Sequence, residues 1–110
     1  MLYVFNTAII PIDWNQRDAA TVRLRRITPE EARELVKKNE FVSAVGHEAT
    51  AEVLSRLLGV RVPFNRAAVY MQPGDEGIHF VLRTRLPEGK VLSEEELAKL
   101  DYWLVYSKIL

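Results

Sequence analysis

Gly46-His47-Glu48 stands where a helix should begin: Ala49, Val53, Leu54, Leu57 and Leu58 recur behind it at helical spacing, and Gly59 is a natural stop. A helix start presents backbone N–H groups with no intrahelical acceptor and the positive end of the helix dipole, and together they attract an anion. Gly46 allows a phosphate to approach the backbone closely. An imidazole at that point can touch a phosphate and hand a proton to a departing oxygen. The plainer role for His47 is that of a capping or half-buried histidine.

Arg83 and Arg85 lie two apart in a strand expected from Ile78 to Leu86, so they share a face opposite Phe80, Leu82, Thr84 and Leu86. Guanidinium groups match phosphate with paired donors. The alternative for these two is a solvated face with surface ion pairs. Glu88, in the following turn, can orient an arginine or meet a sugar hydroxyl. Asn6 ends the first apolar run, a turn position that can also reach a ligand at the sheet edge, and Asn65-Arg66 form a similar polar step. Trp14, Tyr102 and Trp103 offer faces for stacking on bases, or for ordinary packing. His79 follows a turn and is expected in solvent, and no serine has a triad partner nearby in sequence. P-loop, GxGxxG and GxSxG patterns are missing. The absence of cysteine excludes disulfides, thiolate metal sites and cysteine nucleophiles. Zinc would have to rely on His47, His79 and carboxylates without an HxxxH-like pair, so neither metal nor cofactor is expected.

The chain that must position these groups has 110 residues, enough for one domain spanning 1–110, and its apolar content of 48% can supply a core. Fifteen basic residues balance 15 acidic ones. Zero net charge argues against coating long DNA or RNA, yet a few arginines in one pocket still hold a small anion. The apolar opening MLYVFNTAIIPIDW lacks a basic n-region and a cleavage site, so it reads as a buried strand. No stretch is long and apolar enough to span a membrane, and the expected place is the cytoplasm of a prokaryotic cell.

Strands are expected at Leu2 to Phe5, Ala20 to Ile27, Phe41 to Val45, Arg66 to Gln72, Ile78 to Leu86 and Tyr102 to Leu110. The fourth and fifth of these, joined by Pro73-Gly74-Asp75-Glu76-Gly77, should form a hairpin. Thr28-Pro29-Glu30-Glu31 and Ser93-Glu94-Glu95-Glu96 are capping boxes that start helices to about Lys38 and Leu100. The interleaving points to an α/β (α+β) domain with a mixed, mainly antiparallel sheet of about five strands and packed helices.

Ala44-Val45-Gly46-His47-Glu48-Ala49-Thr50, then Leu57-Leu58-Gly59, Asn65-Arg66 and Arg85-Leu86-Pro87-Glu88-Gly89-Lys90-Val91-Leu92 resemble the viral type III anti-CRISPR ring nucleases, whose relatives also occur in cellular type III CRISPR systems. The opening Leu2-Tyr3-Val4-Phe5-Asn6 fits as well, so the resemblance covers essentially the whole chain. It implies a two-fold homodimer that binds cyclic tetra-adenylate at the interface and opens it without metal. It further implies that His47 is the general acid, that Arg85 and Glu88 complete the catalytic set, and that Asn6 contacts ligand. Some viral members have a serine where this chain has Ile9, and Thr7 offers the nearest replacement hydroxyl. With Gly46, Arg66 and Arg83 these residues make up the expected binding site.

In such a reaction a ribose 2′-hydroxyl attacks the adjacent phosphorus and expels the next 5′-oxygen, leaving a 2′,3′-cyclic phosphate. Activity should fall in alkaline solution as the imidazolium of His47 is lost. Three other functions remain open: a non-catalytic sponge for the same cyclic oligoadenylate, a small nucleic-acid- or protein-binding regulator, and a hydrolase that uses metal and would lose its activity in chelator.

Overall fold

The computed structural model describes residues 1–84, 86 and 91–110. Its elements run β1 (Leu2–Phe5), β2 (Val22–Ile27), α1 (Pro29–Lys38), β3 (Phe41–Ala44), α2 (Glu48–Leu58), β4 (Glu76–Leu82), α3 (Glu94–Ala98) and β5 (Tyr102–Ile109). The five strands form one mixed sheet in the order β2-β5-β4-β1-β3. β1 is parallel to both its neighbours, β3 and β4, whereas β5 runs antiparallel to β4 and β2 in the longer pairings. The α+β expectation therefore holds. Among the described residues no helix is long and apolar enough to cross a membrane.

Local chemistry explains the helices. Thr28 caps α1, its hydroxyl accepting from Glu31 N at 3.1 Å while Glu31 reaches back to Thr28 N at 3.2 Å. Pro29 sits where its missing N–H costs nothing, and Asn39 ends the helix in an extended conformation. α2 stops at Gly59, which takes φ 69°, a left-handed geometry that a Cβ would penalise. Ser93 repeats the capping box for the short α3.

Packing then follows from periodicity. Alternate residues of the central strands, Leu2, Val4, Ile78, Phe80 and Leu104, meet Ala32 and Val36 of α1 and Val53, Leu54, Leu57 and Leu58 of α2 in the main core. Each of these larger than alanine, fully buried, contributes about 1.5–3 kcal/mol. The opposite face carries a second cluster, Phe5, Ile12, Met71 and Ile109, covered by residues of the two long loops 6–21 and 59–75.

Three expectations change. The segment Arg66 to Gln72 is not a strand, and the expected hairpin does not form. β4 instead pairs with β1 and β5, which satisfy both its edges, so 66–72 is left to cover the sheet. β4 ends at Leu82, and Arg83 and Thr84 are already exposed beyond it. Finally, His79 is not in solvent: it is 0% exposed, because β4 lies inside the sheet and is covered on both faces.

Candidate functional site

β1 and β3 run side by side in the same direction, with Phe5 opposite Ala44 in register. Their C-terminal ends therefore deliver Asn6 and the Val45–Gly46–His47 step to one edge of the sheet. Ligands of α/β sheets commonly occupy the crevice outside such strand ends. Asn6 Oδ1 accepts from Gly46 N at 3.5 Å, a long bond that joins the two strand exits. A third segment is stitched alongside. Asn65 N donates to Val45 O at 2.8 Å, Asn65 Nδ2 to Ser43 O at 2.6 Å, and Ser43 Oγ to Pro63 O at 2.6 Å. This lays Arg66 over the glycine: a methyl group on Gly46 would stand 3.4 Å from Arg66 Cγ and 3.9 Å from its Nε.

His47 is the N-cap of α2 and is exposed. Its Nδ1 accepts from Thr50 N at 3.4 Å and lies 3.2 Å from Thr50 Oγ1. In the neutral ring Nδ1 accepts from Thr50 N; in the imidazolium that bond is lost and Nδ1–H can donate to Thr50 Oγ1 instead. Nδ1 faces Thr50 in either state, which leaves Nε2 as the nitrogen to meet a ligand. Beside Asn6 an open cleft of about 250 Å³ is lined by Phe5, Thr7, Ala44, Ala67 and Val69 among others. Thr7 is exposed there, with its Oγ1 accepting from Ile9 N at 3.4 Å.

The structure therefore brings together Asn6, Gly46, His47 and Arg66, with Thr7 next in chain. Arg83 is engaged elsewhere: it pairs with Asp101 at 3.3 Å and stacks over Trp103 with its guanidinium 4.7 Å from the ring centre. That is the surface ion pair weighed as its alternative. Arg85 and Glu88 lie outside the described residues. Of the aromatic candidates, Trp14 is exposed, Trp103 carries Arg83, and Tyr102 packs on Phe80 at 5.3 Å.

Sequence reading missed the group beneath the cleft. His79 Nδ1 lies 2.9 Å from Thr7 O and its Nε2 2.7 Å from Ser107 Oγ, with Ser107 also 0% exposed. A carbonyl only accepts, so Nδ1 carries the proton and Nε2 accepts from the Ser107 hydroxyl. This serine–histidine pair crosses from β4 to β5 and spans 28 positions in sequence, which is why it left no local signal. Its full burial keeps it from acting as a nucleophile. The ring stacks on Phe5, with centroids 4.9 Å apart and planes inclined by 13°.

Burial, partly opposed by the bond to Thr7, lowers the His79 pKa below its ordinary 6.5. The unfolded chain then binds more protons than the folded one just below that value, so stability is lost as pH falls through about 6.5. Urea midpoints measured at pH 8, 7, 6 and 5 should decline faster for the wild type than for His79→Asn. The extra slope is at most about 1.4 kcal/mol per pH unit, and equal slopes would refute this assignment.

The chain is 40% identical over 107 residues to protein 26 of Sulfolobus islandicus filamentous virus, covering 94% of this chain and 89% of that protein. It is 41% identical over 111 residues to the ORF117 protein of Acidianus two-tailed virus, covering 98% and 92%. Among solved structures, B116 of Sulfolobus turreted icosahedral virus has the same fold, with a TM-score of 0.80 over 97% of each chain at 24% identity. The sequence pattern of a single family spans residues 2–104, and on that match the chain belongs to the STIV B116-like family.

Proposed function

We propose that this protein is a metal-independent ring nuclease that binds cyclic tetra-adenylate across a homodimer and opens it, switching off type III CRISPR signalling. The observation that carries the reading is the convergence of Asn6, Gly46, His47 and Arg66 where β1 and β3 end and α2 begins. A phosphate set on Gly46 would meet the helix N-terminus, the Arg66 guanidinium and the imidazole together.

RNA carries its own nucleophile. The 2′-oxygen attacks phosphorus, the bond to the 5′-oxygen breaks, and the 2′-hydroxyl proton passes to solvent. His47 gives its Nε2 proton to the departing 5′-oxygen, with Thr50 holding Nδ1 meanwhile. Arg66 and the helix start offset the charge that builds on the phosphate. Arg85 and Glu88 join this set by resemblance to the ring nucleases, whereas Arg83, held by Asp101 and Trp103, stands outside it. A two-fold dimer presents each group twice, matching a ring whose opposite phosphates are equivalent.

The test is incubation of the protein with cyclic tetra-adenylate and a chelator, followed by product analysis. Linear products ending in 2′,3′-cyclic phosphate are expected, and a ring with methylated 2′-oxygens should survive. An intact natural ring that remains bound would identify a sponge instead. An intact ring with no binding would return the protein to the class of regulators.

A further inference from the structure

We propose that His79 is a positioning residue for this site: through Thr7 it sets where the end of β1 places Asn6, and with it the wall of the cleft that Asn6 and Thr7 line. The inference deepens the ring-nuclease reading and rests on it only for its kinetic test.

His79 touches both neighbours of Asn6. Its ring stacks on Phe5, and its Nδ1–H holds the carbonyl of Thr7 at 2.9 Å. Asn6 lies between these two anchors, and its side-chain oxygen accepts the bond from Gly46 N that ties the two strand exits together. The far side of the ring is fixed by Ser107 Oγ at 2.7 Å. A buried polar pair with each partner satisfied specifies direction in a way that an apolar filling cannot.

Gly77 shows that the sheet is built around the pair. It lies opposite Ser107 on β5, and a Cβ there would come within 2.6 Å of Ser107 Oγ and 2.8 Å of His79 Nε2. A residue with no side chain clears the space that the imidazole and hydroxyl occupy.

Two substitutions separate the bond to Thr7 from burial in general. In His79→Asn the amide nitrogen stands near the position of Nδ1 and can still donate to Thr7 O. In His79→Gln the amide reaches toward Ser107 and leaves Thr7 unheld. Both variants should lose similar amounts of thermal stability. Cleavage of cyclic tetra-adenylate by His79→Gln should fall about 10- to 100-fold, mainly in kcat, as expected for a small misplacement of reacting groups, while His79→Asn should stay within about threefold of wild type.

An activity-independent measurement accompanies the kinetics. Both variants lose the ring current of the imidazole on Phe5, so the Asn6 side-chain amide and Gly46 backbone amide resonances should shift further in His79→Gln than in His79→Asn. Equal losses of activity, or equal resonance shifts, in the two variants would overturn the proposal. Wild-type protein that leaves the ring intact would sink the ring-nuclease reading alone, and the resonances would then decide the positioning role.

Discussion

Replacing His47 with alanine should lower the rate of ring opening by about 10²- to 10⁴-fold, the usual contribution of a positioned general acid. Binding should survive, because the helix start, Gly46 and Arg66 remain. The substitution also removes a cap, since His47 Nδ1 accepts from Thr50 N. Losing a cap costs about 0.5–2 kcal/mol, so the folded fraction must be measured beside the rate. His47→Asn provides the control, as an asparagine at this position still caps α2 but cannot donate a proton as an acid. Single-turnover measurements with cyclic tetra-adenylate should find both variants slow, and only the alanine variant less stable. Unimpaired cleavage by His47→Asn would remove the imidazole from the chemistry.

Substituting Gly77 with alanine should be the most damaging small change in the sheet. The added methyl group would meet Ser107 Oγ at 2.6 Å, His79 Nε2 at 2.8 Å and Phe5 Cε2 at 3.1 Å. None of these can withdraw into solvent, because His79 and Ser107 are fully buried and Phe5 nearly so. Overpacking of a tight interior costs about 1–3 kcal/mol, and three simultaneous contacts place Gly77→Ala near the upper end. Urea unfolding should report this as a lowered midpoint. Adding Ser107→Ala removes the closest contact but leaves the histidine contact, so the double variant should recover part of the loss. A Gly77→Ala protein as stable as wild type would mean that the strand spacing here is looser than described.

Gly77 and His79 lie inside the sheet, and His47 lies on its rim. What joins them is the short stretch Phe5-Asn6-Thr7, stacked below, hydrogen-bonded below, and bonded across to Gly46. Arg56 works from the other end of α2, in its last turn. It donates to Leu92 O at 2.6 Å and to Glu94 Oε1 at 2.7 Å, tying α2 to the start of α3. α2 thus carries His47 at its start and holds the approach to α3 from its last turn.

Much of this architecture was legible in the residues themselves. The bounds of α1 and α2 follow from signals that act within four positions: Thr28 with Glu31, Pro29, the left-handed Gly59 and the helical spacing of Leu54, Leu57 and Leu58. The same short range put His47 at a helix start and so made it a candidate. Strand partners were another matter. Arg66 to Gln72 has strand-like composition, but its alternation states only which residues suit one face. It does not say whether a free edge exists to receive them, and β1 and β5 had already taken both edges of β4.

Local chemistry, then, determined the helices, their caps, the apolar faces and the place of His47 at a helix start, because those features are set by neighbours along the chain. Tertiary structure alone decided the strand order, the burial of His79 against Ser107, the cover over Gly46 by Arg66 and the engagement of Arg83 with Trp103. The physical reason is range. A side chain's burial and bonds depend on which distant strands close around it, and closing a sheet chooses among pairings that the residues by themselves leave nearly equal.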